Sequence, residues 1–515
     1  RRAKLRSLYI KLRNKGLTCD LAELQVRKTN DTCEEPIAEE ELENNIPSAE
    51  KFFQDLEIDF QTKAQFSGES KIDLCADALL PKYNFKTIMQ DDKILVFDGK
   101  FYNEMQAEPL IKEEVENLIP NCKMNYVNEA IAKIKRKTYV DITKFDSDDN
   151  LTILENGILH FDTLQITPHD PDYLGQIKLP VSFTPQPIGE DIFADIEANL
   201  KDTLFYQAMK NSFTINGEFQ RESFETILEI ASSFLIKHSI DERHFMCIGG
   251  GENGKGVFFD FVELMIGSEN LTHNTLHGLS QDRFLVAELD GKLGNIFTDL
   301  EDDELKHTGI IKAVGSNEPM TVQRKYGQPY KMRPHAKLMF SCNRFPKVYD
   351  QTQGFFRRWI IVKWERSFEN DELRNVNLKH EIALRVDETD KIFSTLVYLA
   401  KNLLKRGTFT HTPSWKKNKS DWNENADPLE WFVNSHIIDS DGNKSKRDTY
   451  QFYKKIMLEK GENPLGYGQF GKMFAEYREG GMLNDISTGG RTKWVWYNIG
   501  FKESKQAKLG DTFGE

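Results

Sequence analysis

Apolar and polar positions recur along this chain with two different periods, and the change from one to the other outlines its elements. Leu5, Leu8, Tyr9 and Leu12 fall on one helical face with Arg and Lys on the other, and Gly16 stands where such a helix would end. A second helix is expected from Asp20, followed between Asn30 and Pro47 by an acidic segment that begins as a loop before a short helix. KILVFDGKFYNE and LTILENGILHF set the dipeptides Asp98-Gly99 and Asn156-Gly157 between apolar runs, the pattern of a β-hairpin. Helices are expected over residues 104–136 and 191–238, where ESFETILEIASSFLI carries an apolar face. Short buried strands are expected at the start of RHFMCIGGGENGKGVFFDFVELMIG, from Leu293 to Phe297, and in AKLMFSCNRFPKV. DETDKIFSTLVYLAKNLLKRGTF reads as a helix closing the central region. Two stretches read as linkers, PDYLGQIKLPVSFTPQP by its prolines and SWKKNKSDWNENADP by its polarity. From Ser445 onward, helix, turn, helix and hairpin make a winged helix.

The length, 515 residues, exceeds what one core can organise and implies about three or four domains. No apolar run is long enough to span a bilayer, so no membrane partner is expected. The chain opens on Arg1, with neither a signal nor a transit peptide, and reads as cut from something longer whose upstream domain is missing. The six cysteines show no C-x-x-C pair and no His at zinc spacing, which points to a reducing compartment without disulfides or zinc. A net charge of -13 argues against a protein coated by nucleic acid. Locally the balance reverses, because Pro319 to Tyr349 holds no Asp or Glu while Arg324, Lys325, Lys331, Arg333, Lys337, Arg344 and Lys347 are basic.

The chemistry-bearing residues centre on residues 243–267, a strand, a glycine turn and a helix. Gly249 and Gly254 hold the spacing G-x-x-x-x-G-K, in which glycine amides approach phosphate oxygens and Lys255 adds a charge at the helix N-terminus. Gly250, Gly251, Glu252, Asn253, Gly256 and Val257 complete the candidate cradle, with ATP as the expected ligand. Gly256 departs from the pattern, since Ser or Thr there would place a hydroxyl on Mg²⁺, so the metal must lean on carboxylates elsewhere. The bland alternative is a tight Gly/Asn turn with a chance lysine. Asp299, at the end of an apolar strand, is the candidate for Mg²⁺ and the attacking water, with Glu301 two residues on; an acidic loop after a strand is the plainer reading. Asn343 ends another strand and could orient a hydrolytic water. Arg357 and Arg358 are candidate phosphate-binding guanidinium groups or a surface pair making salt bridges. QRKYGQPYK reads as two strands around a Gly327 to Pro329 turn, with Arg324, Lys325, Tyr326 and Lys331 near the tip as candidate DNA contacts. In the last hairpin Arg491, Lys493 and Trp494 could touch phosphate and base, although Trp494 and Trp496 also alternate as ordinary strand residues do. DITKFDSDDN, with Asp146 and Asp148, reads as a solvated acidic loop rather than a two-metal site.

Together, GGGENGKG, NIFTDLED, PMTVQRKYGQPYKMRPHAKLMFSCNRFP and GFFRRW, in that order, resemble the motor of the superfamily-3 helicases, most of all the phage, plasmid and poxvirus-type primase-helicases. The resemblance implies that Asn343 is the motif C sensor, that Arg358 matches the arginine finger by its spacing, and that Lys325 lies in a hairpin following DNA through a central channel. KILVFDGKFY and ILENGILHFDTLQITPHDPDYLGQIKLPVSFTP resemble the domain preceding this motor, and the opening RRAKLRSLYIKLRNKGLT is similar to the helical segment joining a primase-polymerase to such helicases. The expected architecture is multi-domain α/β: a helical segment over residues 1–50, an α/β domain over 51–190, an AAA+-like phosphate-loop motor over 191–412, and a linker with a winged helix over 413–515. The expected function is an ATP- and Mg²⁺-dependent replicative DNA helicase, a homo-oligomeric and by resemblance hexameric ring on single-stranded and forked DNA. It would act in the cytoplasm or in the host compartment where replication occurs, fused to an upstream primase-polymerase. The alternative is a replication-initiation or scaffold ATPase that assembles on DNA without processive unwinding.

Overall fold

The computed structural model describes residues 27, 71–237, 239–301, 303–325, 327–440, 442–459, 463–477, 484–488, 491–496 and 499–502. The opening helices therefore lie outside the described residues apart from Arg27, as does Tyr326.

A four-stranded sheet, ordered Tyr102–Asn103, Ile94–Phe97, Phe85–Ile88, Tyr139–Val140, organises the first unit. Helices Lys71–Lys82, Glu104–Leu118 and Met124–Thr138 pack Leu79, Ile111, Val115 and Ile134 with Phe85, Ile94 and Val96. Both expected hairpins form. Phe97 pairs with Tyr102, and the Asp98 carboxylate closes the loop by accepting the N–H groups of Lys100 and Phe101. In the second hairpin Leu154 faces Gly157, so Glu155 and Asn156 make the turn, one position earlier than the Asn-Gly pair implies. Gly157 is a strand residue at φ +148°, and a Cβ there would strike Ile166 and the Thr167 carbonyl.

The proline-rich stretch expected to be a linker is instead a packed strap. Ile177, Leu179, Val181 and Phe183 are buried, and its backbone bonds to Ile153 and Glu155 on one side. On the other side Ser182, Thr184 and Gln186 donate N–H groups to Asp390, Ser394 and Tyr398.

The central unit begins with helices Ile192–Leu200, α1 (Leu204–Ser212) and α2 (Arg221–Ser233), as the apolar spacing implies. Its sheet has five parallel strands: β1 (His244–Ile248), which leads into α3 (Lys255–Ile266), then β2 (Leu271–Thr272), β3 (Gly294–Leu300), β4 (Lys337–Cys342) and β5 (Trp359–Lys363). They are ordered β2-β3-β4-β1-β5. Every residue of β1 is buried, the signature of a parallel strand covered on both faces. Phe245 and Cys247 face one core with Phe258, Phe261 and Leu228, while Met246 and Ile248 face a second with Leu338, Phe340 and Trp359. After β5 the chain crosses to α4 (Leu378–Ala383) and α5 (Val386–Arg406), whose Phe393, Leu396 and Val397 join the first core.

The second expected linker is also structure, the helix Trp415–Ala426. Trp422 stacks on Phe345 at 4.5 Å and donates to the Pro346 carbonyl, and Asn418 donates to the carbonyls of Phe356 and Trp359. Beyond it, Pro428–His436, Lys446–Glu459 and Tyr467–Glu476 surround Phe432, Tyr453, Phe470 and Trp496. The hairpin strands Asn484–Thr488 and Arg491–Trp496 follow in the expected helix, helix, hairpin order. Among the described residues no helix is long and apolar enough to cross a membrane.

Charge is distributed differently from its linear order. Asp146 is not a solvated loop residue, because the buried Lys237 amine lies 3.3 Å from its carboxylate and 2.9 Å from the Tyr173 hydroxyl. The basic strip is not one surface either: Lys347 pairs with Asp427 at 2.7 Å, and Lys337, the first residue of β4, is buried with its amine on the Ile236 carbonyl. Burial pushes the Lys337 amine down to about 7. Between that value and an ordinary lysine value of about 10.4 the unfolded chain binds the extra proton, so Lys337 makes stability rise with pH across this window. Lys337→Met should therefore show a smaller gain in urea midpoint from pH 7 to pH 9 than the parent protein; equal gains would mean that the buried amine stays charged.

Candidate active site

The glycine loop begins where β1 ends, at the carboxyl edge of the sheet between β4 and β5. Gly249 donates its N–H to the Cys342 carbonyl, and a Cβ on it would strike the carbonyl of Trp364. Gly254, the N-cap of α3, has φ +92°, and a Cβ there would strike the Ser212 hydroxyl of α1. Gly250 and Gly251 meet nothing and leave the inside of the loop open. Asn253 is buried and fixes the turn, donating to the carbonyls of Gly250 and Trp364 while its Oδ1 accepts the Lys255 N–H. It thus holds the loop rather than facing it. Glu252 is exposed and pairs with Arg374 at 2.6 Å.

Lys255 is buried, its amine on the carbonyls of Gly249, Gly250 and Cys342 and 3.5 Å from Asn343 Oδ1. Burial lowers its pKa from the ordinary lysine value, opposed by Cys247, Cys342 and Asp299. Asn343 thus stands at the loop, as its place after β4 implies. The β3 ladder shifts register between Phe297 and Leu300, and the irregularity leaves Thr298 and Asp299 exposed at the same edge. Asp299 is close enough to act on the Lys255 charge, whereas exposed Glu301 has no such link to Lys255. The loop, Thr298, Ser341 and Asn343 line a cavity of about 470 Å³, closed on other sides by residues of α1 and the 368–379 segment. Met209, Asn211, Phe368, Arg374, Asn375 and Lys379 were not legible as site residues, since no motif spacing links them to the loop.

ATP fits this donor set, with open glycine amides, the helix N-terminus and the Lys255 amine converging on the cavity. Mg²⁺ fits through Asp299, because such an ion takes one or two carboxylates plus phosphate oxygens and water. Among the described residues no cluster of three His, Cys, Asp or Glu forms a separate metal cage.

Arg357 and Arg358 lie at the opposite edge of the sheet. Trp359 pairs with His244, the first residue of β1, and the His244 N–H donates to the Arg358 carbonyl at 2.6 Å. The length of β1, roughly 16 Å at a usual rise per residue, separates this edge from the loop. Arg358, the better match by spacing, is buried, donating to the Gly354 carbonyl and Ser316 hydroxyl and lying 3.0 Å from Glu242. Arg357 pairs with the same Glu242 but keeps 44% of its side chain exposed.

The hairpin forms from Met320–Gln323 and Pro329–Met332. Arg324 is no open contact: it pairs with Asp91 of the first unit at 2.7 Å and Asp290 at 3.1 Å, and lies over the Tyr330 ring. Lys325, Lys331 and Arg333 are exposed. Arg491 and Lys493 sit on their expected strand, but their side chains lie outside the described residues.

Residues 57–214 match the family described as D5 N terminal like, and residues 247–358 match a family of unknown function, DUF5906. A protein of Acanthamoeba polyphaga mimivirus, whose name as helicase L207/L206 is itself provisional, is 21% identical over 178 residues. The likeness is to the primase-helicases. The DUF5906 segment runs from β1 to Arg358, so it takes in the glycine loop, Asp299, Asn343 and both arginines. The mimivirus match spans 33% of this chain and only 18% of that protein. The A form apo structure of the NrS-1 C terminal region covers 82% of this chain and 98% of its own, at 12% identity and a TM-score of 0.44. The apo structure of that region's residues 305–718 covers 84% and 100%, at 12% identity and 0.42. Similarity that loose transfers no function.

The two arginines should separate on mutation. Arg358→Ala removes a buried, hydrogen-bonded guanidinium and should cost about 1–3 kcal/mol in urea unfolding. Arg357→Ala should stay within about 0.5 kcal/mol. Equal costs would contradict the different burial of the pair.

Proposed function

We propose that this protein is the helicase part of a primase-helicase, an ATP- and Mg²⁺-dependent DNA motor that works as a homo-oligomeric, hexameric ring on single-stranded DNA. The observation that carries it is the opposition of the two sheet edges. Glycine loop, Lys255, Asp299 and Asn343 share the carboxyl edge, and Arg357 and Arg358 share the amino edge, out of reach of their own loop. A head-to-tail contact closing into a ring sets one subunit's amino edge against the next subunit's loop. In this reading the sheet is an AAA+-like core, supported by the loop at the carboxyl end of its inner strand. The C-terminal helices and hairpin act as a winged helix, supported by their order.

ATP would supply the phosphoryl group whose hydrolysis drives movement. Around it, the loop amides and Lys255 bind phosphate, Asp299 holds the metal, and Asn343 orients water. Exposed Arg357 is the better placed finger, with Glu242 and Arg358 positioning it. Lys255→Ala should abolish hydrolysis, and Arg357→Ala should slow it by a factor on the order of 10³ or more. Mixing the two variants should restore part of the activity at interfaces that combine an intact loop with an intact arginine. No recovery in mixed assemblies of proven composition would reject the shared site, and ATP-dependent assembly without strand displacement would favour an initiation or scaffold ATPase.

The exposed hairpin tip supplies the DNA contact, one lysine per subunit following phosphates without reading sequence. Lys325→Ala should weaken binding to single strands and flatten its salt dependence, the log–log slope falling by about 0.7 for each phosphate no longer neutralised. An unchanged slope would place the contact elsewhere.

A further inference from the structure

Gly256 is where a phosphate-binding loop ordinarily offers a hydroxyl, and the structure shows what takes that space. Lys379, near the start of α4, reaches over the first turn of α3, and its amine would lie 3.0 Å from a Cβ at position 256. The same amine pairs at 2.7 Å with Asp260, one turn further along α3. Lys379 lines the cavity shared by the glycine loop, Thr298 and Asn343. Its segment is fastened to the site's other walls: Phe368 donates its N–H to the Glu252 carbonyl at 2.7 Å, Arg374 pairs with Glu252, and Arg366 donates to the carbonyls of Asn211 and Thr214.

We propose that Lys379 is a second phosphate-binding cation of this site, brought over Gly256 onto the terminal phosphates of a nucleoside triphosphate. The inference rests on the nucleotide reading given above. The Lys379–Asp260 pair is 53% and 46% exposed, a setting in which an ion pair contributes little, so the amine can leave Asp260 for a phosphate at small cost. A triphosphate offers far more negative charge than one carboxylate, and hydrogen bonds between ionised partners are the strong ones. Glycine at 256 leaves the path open. A serine there would gain a metal ligand but obstruct the amine, which is why the departure at Gly256 and the position of Lys379 belong together.

Calorimetric titration of the full chain with ATP and with AMP, each with Mg²⁺, tests this. Lys379→Ala should weaken ATP binding about tenfold or more while leaving AMP binding nearly unchanged. Lys379→Arg should retain most of the ATP affinity, Gly256→Ser should weaken it, and Asp260→Asn should leave it unchanged or tighter, because it releases the amine. Wild-type ATP affinity in Lys379→Ala would overturn the inference while leaving the nucleotide reading intact. Equal weakening in Lys379→Ala and Asp260→Asn would also overturn it, since the pair would then act as a structural tie. If the parent protein bound no ATP, the nucleotide reading itself would fall, and this inference with it.

Discussion

The close approach of Gly249 to the Trp364 carbonyl, and of Gly254 to the Ser212 hydroxyl, is the constraint from which the rest of the central unit follows. Only Gly254 needs glycine for its backbone angle as well; Gly249 is glycine because a neighbouring strand's exit occupies the space. The loop is thus clamped between α1 and the end of β5, and buried Asn253 bonds to both loop and clamp. Because Trp364 holds the loop, the chain leaving β5 has to pass beside it, and this brings Phe368, Arg374 and Lys379 to the cavity. A side chain at either glycine would shift the wall as well as the loop, since packed interiors leave little room to yield.

Buried charge plays the corresponding role between units. Lys237 ties the Asp146 loop to the end of α2, and Glu229 on α2, 1% exposed, accepts from Arg406 and Thr410 beyond α5. Arg324 joins Asp91 in the first unit to Asp290 in the central one. Removing one member of the buried Lys237 or Glu229 pairs leaves its partner uncompensated, so these two contacts fix relative position more than they add stability, whereas the more exposed Arg324 pairs are screened by water. The net negative charge coexists with an exposed basic hairpin because Arg324 at the tip is paired with Asp91 while Lys325 beside it, Lys331 on the second strand and Arg333 just beyond are exposed.

Much of this was legible along the chain wherever one element decides its own structure. The run HFMCI is almost wholly apolar because parallel strands are covered on both faces; the glycine spacing pointed to Lys255 and the end of the AKLMFSC strand to Asn343, and the two meet at one edge. What failed to show was contact between distant segments. Ile177, Leu179, Val181 and Phe183 alternate as buried strand residues do, but the prolines among them read as a linker. Trp415, Asn418 and Trp422 fall on one helical face, hidden by the hydrophilic composition of WKKNKSDWNENA as a whole. The basic run is contiguous in sequence but not in space: it crosses two hairpin strands and β4, where Lys337 points inward, and ends beyond β4 with Lys347 on Asp427.

Spacing in the sequence favoured Arg358 over Arg357 as the finger, whereas burial separates them the other way, with Arg358 enclosed and Arg357 exposed. Arg358 reaches Ser316, and Arg333 donates to the carbonyl of Asn317; these two residues form the turn between the helix Gly309–Gly315 and the first hairpin strand. On the other side of that helix, His244 of β1 donates its Nε2–H to the Ile311 carbonyl, with its pKa pushed down to about 4 by burial. The amino edge of the sheet and the base of the hairpin therefore share one packed turn. Neither can shift far without repacking Arg358, because the guanidinium spans both and a buried charge has to keep its partners.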